Sequence, residues 1–130
     1  MSVMKQYANP RGMALTIGLV GASAVVCGAL GAHYLEWMGA RGLDLWRTAV
    51  GYHFWHALAF SLGAFVAPRG RARCLALWAF LVGVVLFCGS LYALALGAPH
   101  WLGAVTPLGG LAFVIGWLAL GNSFGSRRAD

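Results

Sequence analysis

Four apolar runs of helix length, each closed by polar or helix-breaking residues, order this sequence. The first runs from Met13 to Tyr34, about 22 residues, long enough at 1.5 Å per residue to cross a ~30 Å hydrocarbon core. Asn9 and Pro10 are placed to cap and start it. The second runs from Trp46 to Ala67 and stops at Pro68, which cannot continue a helix. The PRGRAR turn after it is short enough to force an antiparallel hairpin. The third covers Cys74 to Leu96. After a loop holding Pro99, His100 and Trp101, Thr106 is placed to cap the last run, with Pro107 at its first helical position. The pattern predicts an all-α integral membrane protein: one domain over residues 1–130, folded as a compact four-transmembrane-helix bundle with helices at about 13–34, 46–67, 74–96 and 107–124.

The segments between the runs refine this picture. Residues 35–45 read as a loop holding Glu36, Arg41 and Asp44, bracketed by Trp37 and Trp46 as interface aromatics. Within the first run, Gly18, Gly21, Ala24, Gly28 and Gly31 recur at three- and four-residue steps, a smooth stripe that lets another helix approach closely. Gly63, Gly109 and Gly116 are the matching packing positions on later helices. A cleaved signal peptide is the rival reading of the first run, with Ala29-Leu30-Gly31 as its cleavage site, but the run exceeds the 7 to 15 residues of a signal core. A short echo, Trp46-x-x-Ala49-Val50 against Trp101-x-x-Ala104-Val105, would imply duplicated hairpins if it were more than coincidence.

Composition agrees with the pattern: 61% of residues are hydrophobic and 9% charged, with a mean hydropathy of +0.77. From Cys74 to Ser126 there is no Asp, Glu, Lys or Arg, and no soluble domain could cover its surface that way. The net charge of +6 does not point to nucleic acid, because the basic residues are not gathered on one face among polar or aromatic readers. They mark topology instead. Lys5, Arg11, Arg69, Arg71, Arg73, Arg127 and Arg128 fall on one side, and only Arg41 and Arg47 on the other, which places both termini in the cytoplasm. Trp78 and Trp117 then belong toward the inner interface, and Trp37, Trp46 and Trp101 toward the outer. Cys27, Cys74 and Cys88 lack CxxC spacing and read as small buried hydrophobes.

Candidate chemistry is confined to the second run, which carries His53 and His56. Ala49, His53, His56, Phe60, Gly63 and Ala67 share one face by their three- and four-residue spacing, so both histidines point into the bundle. Counted inward from Trp46, His53 is roughly 10 Å and His56 roughly 15 Å deep. Ser90 and Cys88 fall at similar depths, and His33, Tyr92, Thr106 and Glu36 could complete a polar pocket opening away from the cytoplasm. One reading makes the histidines neutral core groups bonded to Ser90, Tyr52 or a backbone carbonyl. A second makes them a ligand, proton or ion site, since ionisable groups inside a membrane are expensive and commonly functional. Metal or haem ligation finds only His33 as a third ligand and no CxxCH motif. A hydrolytic triad finds neither GxSxG nor an acid in reach. Trp55, near the midplane, is expected to pack inward with its indole N–H bonded.

These residues fall in words that together resemble the YgdD-like family of small bacterial inner-membrane proteins, classed as domain of unknown function 423. The words are Gly28-Ala-Leu-Gly-Ala-His33, Trp46-x-Thr48-Ala49-Val50-x-Tyr52, His56-Ala57-Leu58-Ala59, Gly89-Ser90-Leu91-Tyr92, Leu102-Gly-Ala-Val-Thr106-Pro107-Leu-Gly109-Gly110 and Gly116-Trp117. They cover about residues 12–122 in order. Where that family usually has Gln, this chain has His53, and where it usually has Ser, Cys88. The resemblance implies a four-helix protein of the bacterial inner membrane, supplies no catalytic residues, and moves weight from a two-histidine metal site to His33, His56, Ser90, Tyr92 and Thr106.

The expected function is a non-enzymatic membrane component, without cofactor or metal. It would pack in the lipid bilayer on itself as a homo-oligomer or on a larger membrane protein complex, since no loop exceeds about a dozen residues. The alternative is binding or transport of a small solute, proton or metal through a pocket around His56. A membrane enzyme acting on lipid or quinone is the third class, disfavoured by charge-poor outer loops.

Overall fold

The computed structural model describes residues 10–125. Lys5, Asn9, Arg127 and Arg128, which enter the cap and charge arguments above, lie outside the described residues. The described chain is all-helical: α1 (Pro10–His33), a 3-10 turn (Glu36–Met38), α2 (Gly39–Val66), α3 (Arg71–Gly83), a π-helical turn (Val84–Cys88), α4 (Gly89–Ala95), a 3-10 turn (His100–Ala104) and α5 (Thr106–Gly125). The segment Arg71–Ala95 is one continuous rod, so four long helices result. Among the described residues, three stretches are long and apolar enough to cross a membrane: Arg11–His33, Arg71–Ala95 and His100–Gly125. The fourth, α2, has 28 residues, but its charged first turns and two histidines dilute its apolar character.

The bundle is built around α2. Gly42, Trp46, Ala49, His53, His56, Phe60, Gly63 and Ala64 are all buried along it, one continuous face at helical spacing. Against that face pack Ala76, Leu77 and Phe80 of α3, Cys88 of the π turn, Leu91 of α4, and Phe113 and Leu120 of α5. The outside is equally apolar: Leu15, Leu19, Leu58, Phe65, Leu75, Val85, Leu111 and Leu118 are exposed. A water-facing surface would not be made of such residues. Helix α1 lies at the edge. It packs chiefly on α2, and Ala24 is the one buried residue among its described side chains.

Segment 35–45 departs from the predicted loop. Glu36–Met38 form a 3-10 turn and α2 already begins at Gly39. The charges do not break the helix because Arg41, Asp44 and Arg47 all face outward while Gly42 and Trp46 face the core. Gly39, at φ 70°, makes the turn into the helix. Trp46 is therefore no interface anchor: it is 6% exposed, and a side chain at residue 31 would collide with its ring, since a Cβ on Gly31 would lie 2.6 Å from it. Trp55, expected to point inward, is 60% exposed on the opposite face of α2. Cys88 is buried, Cys27 half-buried, and Cys74, expected to be buried, is exposed. Trp46 and Trp101 occupy unlike settings, one buried in α2 and one exposed in a 3-10 turn, so the short sequence echo has no structural counterpart.

Glycines set the close approaches between helices. A Cβ at Gly109 would overlap the Phe87 backbone, one at Gly83 would overlap the Phe113 ring, and one at Gly116 would lie 2.7 Å from Phe80. Gly63 sits against Leu77 and Leu120, and Gly28 lies near Val50 and Phe54. Gly18 and Gly21 differ from the expected packing stripe: nothing lies within 4 Å of a Cβ at either. Between α2 and α3, the Arg73 guanidinium closes the hairpin. Its Nε donates to the Gly63 carbonyl at 3.1 Å and its Nη2 to the Ala64 carbonyl at 2.6 Å. A cation there satisfies last-turn carbonyls that the helix leaves open and complements the negative end of its dipole.

Candidate functional site

Among the described residues, His53, His56 and Ser90 each centre a separate cluster, and the fourth buried polar residue, Ser123, donates to the Leu120 carbonyl within α5. His56 sits in the first, 5% exposed, held at both ring nitrogens. Nδ1 donates to the Tyr52 carbonyl one turn back at 2.7 Å, and Nε2 accepts from the Trp117 indole at 3.2 Å. A carbonyl can only accept and an indole N–H can only donate, so the two partners select the neutral tautomer carrying its proton on Nδ1. The ring is also stacked on Phe113, with centroids 3.5 Å apart and planes at 11°. Tyr52, Phe80 and Trp117 complete an aromatic enclosure. It fits because Gly83 and Gly116 leave room for Phe113 and Phe80 respectively.

His53, also 5% exposed, belongs to the second cluster. Its Nε2 lies 3.2 Å from Ser23 Oγ on α1 and its Nδ1 3.1 Å from the Tyr92 hydroxyl on α4. Ser23 itself donates to the Val20 carbonyl. With its proton so placed, Ser23 accepts from Nε2–H, and in the neutral imidazole this leaves Nδ1 to accept from the Tyr92 hydroxyl. Trp46 lies beside this cluster, its ring 4.5 Å from that of Tyr92, and its indole donates to the Cys27 carbonyl of α1 at 2.7 Å. His53 and Trp46 thus tie the edge helix α1 to the rest of the bundle.

The third cluster joins Ser90 of α4 to Thr106 at the start of α5, hydroxyl to hydroxyl at 2.6 Å. Ser90 also donates to the Phe87 carbonyl. Thr106 does not cap its helix as its position in the sequence suggests. Its hydroxyl instead meets Ser90, and the Val105 carbonyl takes the first helical amides, from Leu108 and Gly109. The π turn Val84–Cys88 precedes both Ser90 and Tyr92. One extra residue in a turn rotates the remainder of the helix by about 100°, which brings Ser90 and Tyr92 to their partners.

Of the six predicted pocket residues, the structure therefore pairs His53 with Tyr92 and Ser90 with Thr106, and leaves His56 by itself among aromatic rings. His33 is exposed at the end of α1, its ring against Tyr34, and Glu36 is exposed in the turn beyond. Among the described residues, no buried side-chain nitrogen or oxygen lacks a hydrogen-bond partner. The sequence reading missed Ser23 and Trp117 as histidine partners. Ser23 carried a weak signal, as a hydroxyl in an otherwise apolar run. Trp117 carried none, because an indole in a membrane helix reads first as an interface anchor.

A groove of about 520 Å³ opens elsewhere, between the first turns of α1 and the α2–α3 hairpin. Gly12, Met13 and Thr16 form one wall, and Phe60, Leu77 and Leu81 the other, with Arg69 and Arg73 at the turn. None of the six predicted pocket residues lines it.

The family model described as "Protein of unknown function (DUF423)" matches residues 27–110. The UPF0382 membrane protein YwdK of Bacillus subtilis is 44% identical over 102 residues, covering 75% of this chain and 82% of its own. The UPF0382 inner membrane protein YgdD of Escherichia coli is 40% identical over 111 residues, covering 82% and 84%. A UPF0382 membrane protein of Haemophilus influenzae is 37% identical over 115 residues, covering 87% and 91%. No solved structure matches. The matched region holds the three clusters except Ser23, Phe113 and Trp117, and with it this chain belongs to the DUF423 family of membrane proteins.

Proposed function

We propose that this protein is a non-enzymatic component of the bacterial cytoplasmic membrane. It crosses four times with both termini inside and works by packing within the bilayer on a second copy or on a larger membrane complex. The observation that carries the reading is the engagement of its buried and half-buried polar groups. His53, His56, Ser90, Tyr92 and Thr106 each bond to another part of the chain, and all these contacts except the His56 carbonyl bond join different helices. Polar side chains in lipid serve well as such clamps, because breaking one strands a polar group in hydrocarbon. α2 crosses with the others because its histidines face the bundle interior, where their polarity is matched.

The surface offered for association is the outer face of α1. Its large apolar residues Leu15, Leu19, Val25 and Val26 are exposed, and Gly18 and Gly21 leave room for a close neighbour.

His56→Gln tests this reading against a solute, proton or metal pathway through His56. A glutamine amide can donate to the Tyr52 carbonyl and accept from the Trp117 indole, yet it neither titrates near neutral pH nor readily ligates a metal. The expected outcome is a folded protein that retains its membrane complexes and complements a deletion strain. A folded variant that keeps its complexes but fails to complement would contradict the reading and favour the pathway.

A further inference from the structure

The groove between α1 and the α2–α3 hairpin combines two features that the clamp network does not use. Its volume of about 520 Å³ falls within the range of small-molecule clefts, about 300–1,000 Å³. Its lining is divided by chemistry. Phe60, Leu77 and Leu81 give an apolar wall facing Met13, while Arg69 and Arg73 place two cations at one end. Arg73 is held in position by its bonds to the Gly63 and Ala64 carbonyls, so its charge is fixed in direction rather than swept through solution. Trp78, also on the lining and exposed, is the residue type that settles at headgroup level. Charge at one end and an oily wall running toward the bilayer interior match an anionic amphiphile, head to tail.

We propose that the groove is a binding site for one anionic phospholipid. Its phosphate lies against Arg69 and Arg73, and an acyl chain runs along Phe60, Leu77 and Leu81. A zwitterionic lipid offers the same tails, but its own cation opposes the two arginines, so the site discriminates by headgroup charge. The proposal rests on the four-crossing reading in one respect, that the 68–70 turn lies at the level of the headgroups. A bound lipid here would fill the gap between α1 and the hairpin and hold the edge helix at its inner end, far from the Trp46 and His53 clamps.

The test is native mass spectrometry of the full chain in mild detergent, titrated separately with phosphatidylglycerol and phosphatidylcholine of identical acyl chains. The expected result is a one-to-one phosphatidylglycerol adduct that survives activation stripping phosphatidylcholine. Arg69→Gln, which leaves both Arg73 bonds in place, should lower that retention by about tenfold, the equivalent of one charge-assisted hydrogen bond. Arg47→Gln, an equal charge change at the other end of α2, should leave it unchanged. Equal retention of the two lipids, unchanged retention in Arg69→Gln, or equal loss in Arg47→Gln would each overturn the site. Retention in detergent is independent of the direction of crossing. Labelling of Arg71→Cys in intact cells by a membrane-impermeant maleimide would overturn the topology alone.

Discussion

At the scale of single residues, His53 and His56 are each held by groups on other helices. His56→Ala removes the acceptor of the Trp117 indole and leaves a hole against Phe113. We expect a loss of about 2–4 kcal/mol in unfolding titrations in detergent, the range for a cavity plus an orphaned donor, whereas His56→Gln should lose less than about 1.5 kcal/mol. Trp46→Phe keeps the packing on Gly31 but deletes the bond to the Cys27 carbonyl. It should cost about 1 kcal/mol in the same assay. Glycines separate in the same way. Gly116→Leu must displace Phe80 and should cost at least about 1–3 kcal/mol, while a Cβ at residue 18 meets nothing within 4 Å, and Gly18→Leu should leave stability unchanged. The shared inward face of His53 and His56 was legible from spacing alone, since three- and four-residue steps fix a face whatever the helix packs against. Their partners were not. Ser23 and Trp117 lie 30 and 61 residues away in sequence, and whether they face a histidine depends on helix rotations that no local pattern records.

At the scale of elements, the four apolar runs correspond to the four long helices, because hydrophobic length and Pro or Gly punctuation are local properties. The two departures are also local, but ambiguous in the sequence. Charged residues at 41, 44 and 47 look like a loop when read by hydropathy and like an amphipathic helix when read by face. The structure takes the face, with Gly42 and Trp46 buried between them. The π turn at Val84–Cys88 has no sequence signature beyond Gly83 and Gly89 at its flanks. It gives a sharp prediction. Deleting Val85, whose side chain is exposed, should let the turn relax to α-helix and rotate α4 by about 100°. Cysteine pairs that crosslink Ser90→Cys to Thr106→Cys in the parent should then fail to do so. Crosslinking at the same yield in the deletion would show that the π turn does not set the register.

At the scale of the whole molecule, an apolar exterior and matched polar interior describe a body built to be surrounded by lipid or by other helices. The charge asymmetry of the loops was legible in the sequence, because it is a property of counts rather than of geometry. It predicts that Arg47→Cys is labelled from outside intact cells and Arg71→Cys only after the membrane is opened. The edge position of α1 was not legible. Its glycine stripe suggested one continuous face packed on another helix, yet Gly28 and Gly31 meet Val50 and Trp46 of α2 while nothing lies within 4 Å of a Cβ at Gly18 or Gly21. The open face with Gly18, Gly21, Leu15 and Leu19 is the proposed surface of association.

The most direct measurement is therefore the mass of the protein extracted with its surrounding membrane in polymer-bounded discs, for the parent chain and for Gly18→Leu with Gly21→Leu. Association through α1 requires that the parent carry polypeptide mass beyond its own 13.7 kDa, as a second copy or another membrane protein, and that the double variant, equally well folded, lose it. A parent chain that emerges alone would contradict a packing role.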